Sequence, residues 1–261
     1  MEQSPDDPTT SSAYSIRAVE RVCDVLDLIQ RHPQGFSLTE VIDATDMPKS
    51  TAFRYLSTLE SRRYVERDLL TGQLRIGPAF LPLQSRQLDI LTERARPHLE
   101  RLRDEFEETI NLALLDGNRV SYLEIIESLK SMRLAARKGD RDPLHCTAVG
   151  KAIAAVLPED RVRAILAADG MPPMTDATIT DVEAYMQELE VTRERGYALD
   201  NGENEPDGRC VAVLVAGLGL PIAISLSAPA ARFPLDEVAG VADALRAVAS
   251  DLVEDLGGDP I

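Results

Sequence analysis

The sequence predicts an α+β fold in two parts: an amino-terminal group of helices with a two-stranded ribbon, then a larger domain that combines helices with an antiparallel sheet. Three observations carry this prediction. Residues 16–61 contain three apolar stretches with helical spacing. Strand-like runs at 64–67 and 73–76 follow them. Farther along, continuous apolar runs at 210–216 and 222–227 are typical of buried central strands.

The composition is that of an ordinary soluble globular protein. Of the 261 residues, 44% are apolar and 28% are charged. No stretch reaches the roughly 18 uncharged apolar residues that a bilayer span needs, so no membrane partner is expected. Residues 1–14 lack the layout of a signal peptide and are predicted to be a disordered tail. Three scattered cysteines are too few for a disulfide framework, which favours a reducing cytoplasm: Cys23, Cys146 and Cys210.

The net charge of −16 argues at first against a nucleic-acid partner. Its distribution changes that interpretation. Residues 15–77 contain nine basic and nine acidic side chains, whereas residues 78–261 contain 19 basic and 32 acidic ones. One neutral segment therefore stands in a chain that otherwise repels a polyanion. This asymmetry indicates residues 15–77 as the part that could approach DNA.

Residues 15–77 are predicted to form a winged helix-turn-helix domain. A first amphipathic helix precedes a break at 32–35, where proline and glycine interrupt the pattern. Ser37 and Glu40 have the spacing of a capping box and begin a second helix. Pro48 suits the first turn of a third helix. With the two-stranded ribbon after it, this is the order of elements in a winged helix-turn-helix.

The third helix, from Lys49 to about Ser61, has two different faces. Its apolar residues lie on one side: Ala52, Leu56 and Leu59. At about 100° per residue, three polar residues point the other way: Ser50, Arg54 and Ser57. Small hydroxyls and one arginine form a low, hydrogen-bonding surface that a major groove can accept. Arg54 could contact either a guanine edge or a phosphate, and Lys49 is expected to contact a phosphate.

Residues 78–95 are predicted to form a linker helix, bent or restarted at Pro82, and Pro97 is expected to open another helix. Residues 96–257 form the second domain. Its predicted strands are 111–115, 120–125, 132–135, 210–216 and 222–227, with a hairpin at Gly117–Asn118 between the first two. Its later helices are predicted at 147–156, at 158–168, from a capping Thr180 to Gly196, and at 238–256.

Cysteine, histidine and acidic residues in the second domain raise the possibility of an enzyme. His145 and Cys146 could form a nucleophile pair, but adjacent residues on a strand point to opposite sides. No metal-ligand spacing links them to Cys210. Asp200 and Glu203 fit an acid–base pair and an exposed loop equally well. No catalytic residue, metal or cofactor is therefore predicted, and Cys210 is interpreted as a thiol that lines a pocket without reacting.

Three stretches of the chain resemble a known family: PKSTAFRYLSTLE with the ribbon after it, PLHCTAVGKA at 143–152 and RGYALDNGENEPDGRCVA at 195–212. In this order they resemble the isocitrate lyase regulator (IclR) family of bacterial transcription factors. The resemblance runs from about Ser15 to Leu256. It implies a winged helix-turn-helix, a linker helix and a GAF-like effector-binding domain. It also implies that double-stranded operator DNA is bound by a homodimer or homotetramer, under control of a small-molecule effector, often a carboxylic acid.

The resemblance also implies site residues. On the third helix, the family's DNA-facing motif matches Lys49, Ser50, Thr51, Arg54 and Tyr55. We add four further residues to the predicted DNA interface: Ser57, Arg62, Arg63 and Arg75. Effector-binding positions match Leu134, Ala148, Val149, Gly150, Asp200, Cys210, Ser225 and Ser227. The chain departs from the family in having Arg63 where glycine is usual, and Gly208 one place later than usual.

Within that pocket, we expect ligand carboxylate oxygens at the hydroxyls of Ser225 and Ser227 and at free amides near residues 147–150. Asp200 is expected to accept a hydrogen bond from a ligand hydroxyl. The leading hypothesis is thus a ligand-responsive transcriptional regulator, a repressor, whose operator binding the effector changes. One alternative is a small-molecule hydrolase or isomerase that uses the amino-terminal helices only for dimerisation. Another is a protein-interaction module.

Overall fold

The computed structural model describes residues 16–32, 35–68 and 71–257. The predicted tail at 1–14 lies outside the described residues, as do Pro33 and Gln34 of the predicted break. The chain divides into two compact units between residues 87 and 88.

The first unit contains the predicted three helices and ribbon. The helices are α1 (Arg17–Arg31), α2 (Leu38–Thr45) and α3 (Lys49–Ser61), and the ribbon strands are β1 (Val65–Arg67) and β2 (Leu74–Ile76). β1 and β2 pair in antiparallel register. Phe36 adds one bridge to this ribbon: its N–H donates to the carbonyl of Leu74, and its carbonyl accepts from the N–H of Leu74. The winged helix-turn-helix arrangement is confirmed.

Local sequence signals account for the start of α2 and the packing of the unit. The capping box forms as predicted: the N–H of Glu40 donates to Ser37 Oγ (3.2 Å), and the N–H of Ser37 donates to Glu40 Oε2 (2.7 Å). The core between the helices and the ribbon is apolar and buried, and it includes Val25, Phe36, Val41, Leu56, Val65 and Leu74. The apolar spacing of the helices thus places the polar side of α3 away from this core.

The end of α3 is a Schellman motif. The N–H of Arg63 donates to the carbonyl of Glu60 and the N–H of Tyr64 donates to the carbonyl of Leu59, both at 2.9 Å. The motif places Arg63 in the left-handed region, with φ of 62°. This conformation favours glycine and costs other residues roughly 1–2 kcal/mol. The arginine that departs from the family pattern therefore occupies a strained backbone position.

A single helix, α4 (Leu81–Phe106), replaces the two helices predicted around Pro97. Pro82 lies in its first turn, where proline is tolerated. Pro97 lies inside it, where the lost hydrogen bond and the ring clash would ordinarily end a helix. The helix continues because burial of one face compensates for that loss: Leu91, Ala95, Leu99 and Leu102 are buried in one apolar core.

The second unit is built on a six-stranded antiparallel sheet with the order β5-β4-β3-β8-β7-β6. Its strands are β3 (Thr109–Asp116), β4 (Arg119–Ile126), β5 (Arg141–Pro143), β6 (Ala198–Asn201), β7 (Gly208–Leu214) and β8 (Ile222–Pro229). The two apolar runs predicted as central strands are β7 and β8, and both have neighbours on each side.

Each face of the sheet packs against its own helices. Helices α4 and α8 (Val238–Asp255) share one core with side chains of β3, β7 and β8. On the other face, α5 (Ala148–Ala154), α6 (Glu159–Asp169) and α7 (Val182–Arg195) share a second core. Beneath α5 this second core contains small strand residues: Ala113, Ala198, Ala212 and Ala223. Alanines allow the short helix α5 to approach the sheet closely.

Two local predictions in this unit are wrong, and strands β5 and β6 were not predicted. Residues 132–135 are not a strand, because the edge of β4 pairs with β5 instead, at Arg141–Pro143. The cap of α7 is not Thr180 but Asp181, whose Oδ1 accepts from the N–H of Ala184 (2.9 Å). Strand β6 was not predicted, because it has only four residues and two of them are polar.

Replacing Arg63 by glycine should stabilise the protein. Glycine adopts the left-handed conformation without steric cost, and only part of this gain is lost to the greater freedom of the unfolded chain. We expect Arg63→Gly to raise the free energy of unfolding by up to about 1 kcal/mol, measured by urea denaturation. The matched control is Arg62→Gly, which removes the same charge at φ −94°, relieves no strain and should destabilise. The opposite order of the two variants would contradict the strain argument.

Candidate functional sites

The outer face of α3 is the first candidate site. Lys49, Ser50 and Arg54 are exposed, whereas Thr51 and Tyr55 are half-buried. Ser57 is also half-buried, on the turn after Arg54. The structure therefore brings the predicted helical residues onto one accessible surface, while the opposite face of α3 is buried in the core.

The other three arginines of the predicted DNA interface lie beyond the end of this helix. Arg62 and Arg63 follow α3 directly and are exposed, and Arg75 is exposed on β2. Arg75 forms an ion pair with Asp68 at 3.2 Å, so part of its charge is already compensated. Arg62 and Arg63 add positive charge at the carboxyl end of α3, and Lys49 adds it at the start.

A groove of about 650 Å³ borders the α3 surface on the side of α1. Thr51, Arg54 and Tyr55 line it from α3, and Ala18 and Val19 line it from α1. Three of the predicted DNA-binding residues of α3 thus also line this groove. The wall contributed by α1 is apolar and partly open, since Val19 is 55% exposed.

The second candidate site is a cavity of about 380 Å³ in the second unit. Five parts of the chain form its walls: β3, β4, the segment 133–142, the end of β6 with the loop after it, and the paired strands β7 and β8. Its lining residues are Thr109, Asn111, Tyr122, Arg133, Leu134, Ala135, Ala136, Asp140, Asp142, Asp200, Asn204, Glu205, Gly208, Cys210 and Ser227.

Strand register assembles the polar part of this cavity. Asn111 is paired with Ser225, and Cys210 is paired with Ser227, on three adjacent strands. Asn111 Nδ2 donates to Ser225 Oγ (3.1 Å) and Ser227 Oγ (3.0 Å). Asn111 is only 3% exposed, and its Oδ1 has no hydrogen-bond partner among the described residues. The cavity therefore contains an unsatisfied buried acceptor, which is a cost unless a ligand or water donates to it.

Burial raises the pKa of two carboxylates in the lining. Asp200 Oδ1 accepts from the N–H groups of Glu203 (2.7 Å) and Asn204 (3.3 Å), yet burial raises its pKa to about 6. Asp142 accepts from the hydroxyl of Tyr122 (2.9 Å), and burial likewise raises the pKa of Asp142. Burial also raises the pKa of Tyr122 well above its usual value, so it remains a donor. Both carboxylates would gain from a positively charged or hydrogen-bond-donating neighbour.

The loop from Asp200 to Asp207 is fixed to the rest of the unit from beneath. Lys151, which is fully buried, donates to Glu203 Oε1 (2.6 Å) and to the carbonyl of Leu199. The hydroxyl of Thr178 donates to the carbonyl of Glu203 (2.6 Å). These contacts hold Asn204 and its neighbour Glu205 at the cavity wall.

The predicted effector-binding residues separate into two groups. Leu134, Asp200, Cys210 and Ser227 line the cavity. The other four do not: Ser225 lies beneath Asn111, and Ala148, Val149 and Gly150 are buried in the first turn of α5. Gly150 is needed there, because a Cβ atom would lie 2.3 Å from the carbonyl oxygen of Leu144.

The prediction missed most of the polar lining, above all Asn111, Tyr122 and Asp142. One signal was available for Asn111, since it is a polar residue at an inward position of an otherwise apolar run, Ile110–Leu115. The sequence around Asp142 gave no comparable signal, because a short polar segment that contains aspartate is usually an exposed loop.

The geometry does not support a nucleophilic pair at His145 and Cys146. Cys146 Sγ lies 3.4 Å from Asn204 Oδ1, whereas His145 Nε2 lies 3.1 Å from the carbonyl of Pro172. Burial raises the pKa of the Cys146 thiol to about 12 and lowers the pKa of His145. A nucleophilic cysteine needs the opposite shift. Burial also raises the pKa of Cys210, with Asp200 contributing.

Within the described part of the chain, no three His, Cys, Asp or Glu side chains are grouped as metal ligands would be. Across those same residues, no helix combines the length and apolar character that a membrane crossing requires.

Two family models match the chain. The IclR helix-turn-helix domain matches residues 18–69, and the bacterial transcriptional regulator IclR C-terminal domain matches residues 85–254. Among curated relatives, the HTH-type transcriptional regulator BhcR of Paracoccus denitrificans is 36% identical over 241 residues, covering 91% of this chain and 86% of that protein. The HTH-type transcriptional repressor AllR of Escherichia coli is 29% identical over 246 residues, covering 92% and 90%.

Solved structures agree in fold. The crystal structure of Thermotoga maritima IclR is 29% identical, with a TM-score of 0.62, covering 93% of this chain and 100% of that one. An IclR homologue from Microbacterium hydrocarbonoxydans, crystallised in complex with 4-hydroxybenzoate, is 26% identical, with a TM-score of 0.60 and coverage of 92% and 98%.

The three cysteines should differ in reactivity. Cys23 is exposed on α1, whereas burial raises the pKa of Cys146 and Cys210. Since the thiolate is the reacting form, iodoacetamide at pH 8 should alkylate Cys23 at least about tenfold faster than the other two. Mass spectrometry of the peptides over time measures the rates. In urea the three rates should converge, and comparable rates in the folded protein would revive the nucleophile hypothesis.

Proposed function

The chain belongs to the IclR family of bacterial transcriptional regulators, and from this premise we propose that α3 binds the major groove of operator DNA while the cavity of the second unit binds the effector. The observation that carries the proposal is the exposed face of α3, where Lys49, Ser50 and Arg54 face away from the core. Each can donate hydrogen bonds, no acidic residue lies among residues 49–59, and the exposed Phe53 on the same face adds an apolar contact.

The roles within this interface follow from position. Lys49 lies in the first turn of α3 and is suited to a phosphate. Arg54 lies near the middle of the helix, where a guanidinium can reach a guanine edge or a phosphate. Arg62, Arg63 and Arg75 supply positive charge at the end of α3 and in the ribbon, and we propose that they contact the DNA backbone.

The charge distribution supports a single DNA-binding surface. Residues 15–77 are neutral overall, whereas residues 78–261 carry an excess of 13 acidic side chains. Repulsion between this acidic part and phosphates would suppress docking through any surface other than the first unit.

The effector proposal rests on the cavity. Its volume of about 380 Å³ is at the small end of the range for small-molecule sites. Leu134, Asp200, Cys210 and Ser227 are proposed ligand contacts, with Asn111 and Asp142 added from the lining. The resemblance implies a carboxylic acid, to which the hydroxyl of Ser227 would donate a hydrogen bond. Such an effector would change operator binding by favouring one conformation of the protein.

Four further properties are proposed. The chain acts as a repressor, as the name of its relative AllR says of that protein. It binds DNA as a homodimer or homotetramer, since Ile16 and Val19 leave apolar surface on α1 (65% and 55% exposed). It works in the cytoplasm, without a membrane partner. It has no catalytic activity, because the raised pKa of Cys146 opposes nucleophilic chemistry.

Arg54→Glu tests the DNA-binding surface. A duplex is first selected by the unmodified protein from a randomised pool, and affinities are then measured by gel shift. Since a specific arginine contact contributes about 1–3 kcal/mol and the reversal adds phosphate repulsion, binding should weaken at least about tenfold.

The control for this experiment is Arg161→Glu, the same charge reversal at an exposed residue of α6. It should leave affinity within about twofold, and both variants should melt like the unmodified protein, as surface substitutions usually do. Unchanged affinity of a folded Arg54→Glu variant would refute the proposed role of α3.

A further inference from the structure

We infer that the effector carries a protonated amino group, which the carboxylates of Asp142 and Asp200 bind inside the cavity. This inference rests on the proposed function, because it takes the cavity as the effector site. It narrows the chemistry of the ligand: a simple carboxylic acid is disfavoured, and an effector that is an acid must also carry an amine.

The charge of the lining is the first argument. Five charged residues line the cavity, and four of them are acidic: Asp140, Asp142, Asp200 and Glu205. Asp200 is buried and Asp142 is half-buried, so two of these carboxylates are partly removed from water. A ligand with only a carboxylate would add another negative charge to this set, at a cost that rises as water is excluded.

The one basic residue of the lining, Arg133, is already paired. Arg133 binds Glu127 through Nε (3.1 Å) and Nη2 (2.8 Å). Nearby bases outside the lining are paired too, with Arg119 on Asp169 (2.8 Å) and Arg141 on Asp116 (3.2 Å). A ligand carboxylate would therefore have to compete for a cation, whereas a ligand cation would meet carboxylates directly.

The neutral polar groups of the lining leave one buried acceptor without a partner among the described residues. The hydroxyl of Tyr122 is engaged with Asp142, and the amide Nδ2 of Asn111 is engaged with two serines. The buried Oδ1 of Asn111 is left as an acceptor with no partner among the described residues. This atom calls for a ligand that donates a hydrogen bond.

An ammonium group matches all three features. It carries one positive charge and three donors, with no acceptor. Burial raises the pKa of Asp200 because it disfavours the charged carboxylate, and an adjacent cation would offset that cost. Leu134, Ala135 and Ala136 provide an apolar wall for a carbon skeleton. A hydroxyl would satisfy acceptors but leave the charge uncompensated, so an alcohol should bind more weakly than the matching amine.

The test uses two matched sets of four compounds and the full-length protein. The five-carbon set is 5-aminopentan-1-ol, 5-aminopentanoate, pentane-1,5-diol and 5-hydroxypentanoate. The aromatic set is 4-(aminomethyl)benzyl alcohol, 4-(aminomethyl)benzoate, 1,4-benzenedimethanol and 4-(hydroxymethyl)benzoate. Within each set, an amine replaces a hydroxyl with and without a carboxylate at the other end. Thermal shift measures binding, since a ligand of the folded state raises the melting temperature.

We expect the amino members of at least one set to raise the melting temperature more than their hydroxyl partners, whether or not a carboxylate is present. Asp142→Asn and Asp200→Asn remove a charge but keep an acceptor oxygen, and each should weaken amine binding at least tenfold. Asp236→Asn, the same change at an exposed residue outside the cavity, should leave amine binding unaltered. The inference is overturned if hydroxyl members equal or exceed amino members in both sets, or if the Asp142 and Asp200 variants bind amines as well as the control.

Gel shifts with the selected duplex separate this inference from the proposed function. If amines bind in the cavity but leave DNA binding unchanged, the ligand class stands and the effector role fails. If hydroxy acids, and not amines, alter DNA binding, the effector role stands and the ligand class fails.

Discussion

The alternation of side chains along the central strands is the constraint on which the second unit depends. Because Asn111 pairs with Ser225 and Cys210 pairs with Ser227, polar side chains from three strands gather on one face. Farther along the same face, small residues such as Ala113 leave room for α5. The opposite face remains apolar against α4 and α8. A slip of one residue would exchange the faces, so the cavity and the two cores are specified together.

The distribution of charge along the chain affects both candidate sites. The neutral first unit offers exposed bases on and beside α3, whereas the acidic remainder repels phosphate. The cavity is also acidic, because Asp142 and Asp200 line a space from which water is partly excluded. Under the proposed function, this charge distribution would direct operator DNA to the first unit and favour a cationic ligand in the cavity of the second.

Much of the fold was predictable from the sequence, and less of the cavity was. Regular apolar spacing specifies α1–α3 and the long strands, since burial of one face stabilises them. The continuity of α4 through Pro97 was not predictable, because it depends on a core supplied by distant residues. Asp200 and Cys210 could be assigned from a resemblance in one continuous stretch. Asn111 and Asp142 could not, because only the pairing of strands and the course of segment 133–142 bring them to the same cavity.

The buried ion pair of Lys151 and Glu203 fixes one wall of the cavity. Moving the loop that carries Asn204 and Glu205 would separate this pair and strand a charge without water, which costs several kcal/mol. Segment 133–142 is held differently, through hydrogen bonds to the sheet: the N–H of Gly139 donates to the carbonyl of Tyr122 (2.9 Å), and the hydroxyl of Thr109 donates to the carbonyl of Leu134 (3.2 Å). The two walls are thus stabilised by different interactions, a buried ion pair on one side and neutral hydrogen bonds on the other, and a change in pH would act first on the wall that depends on charge.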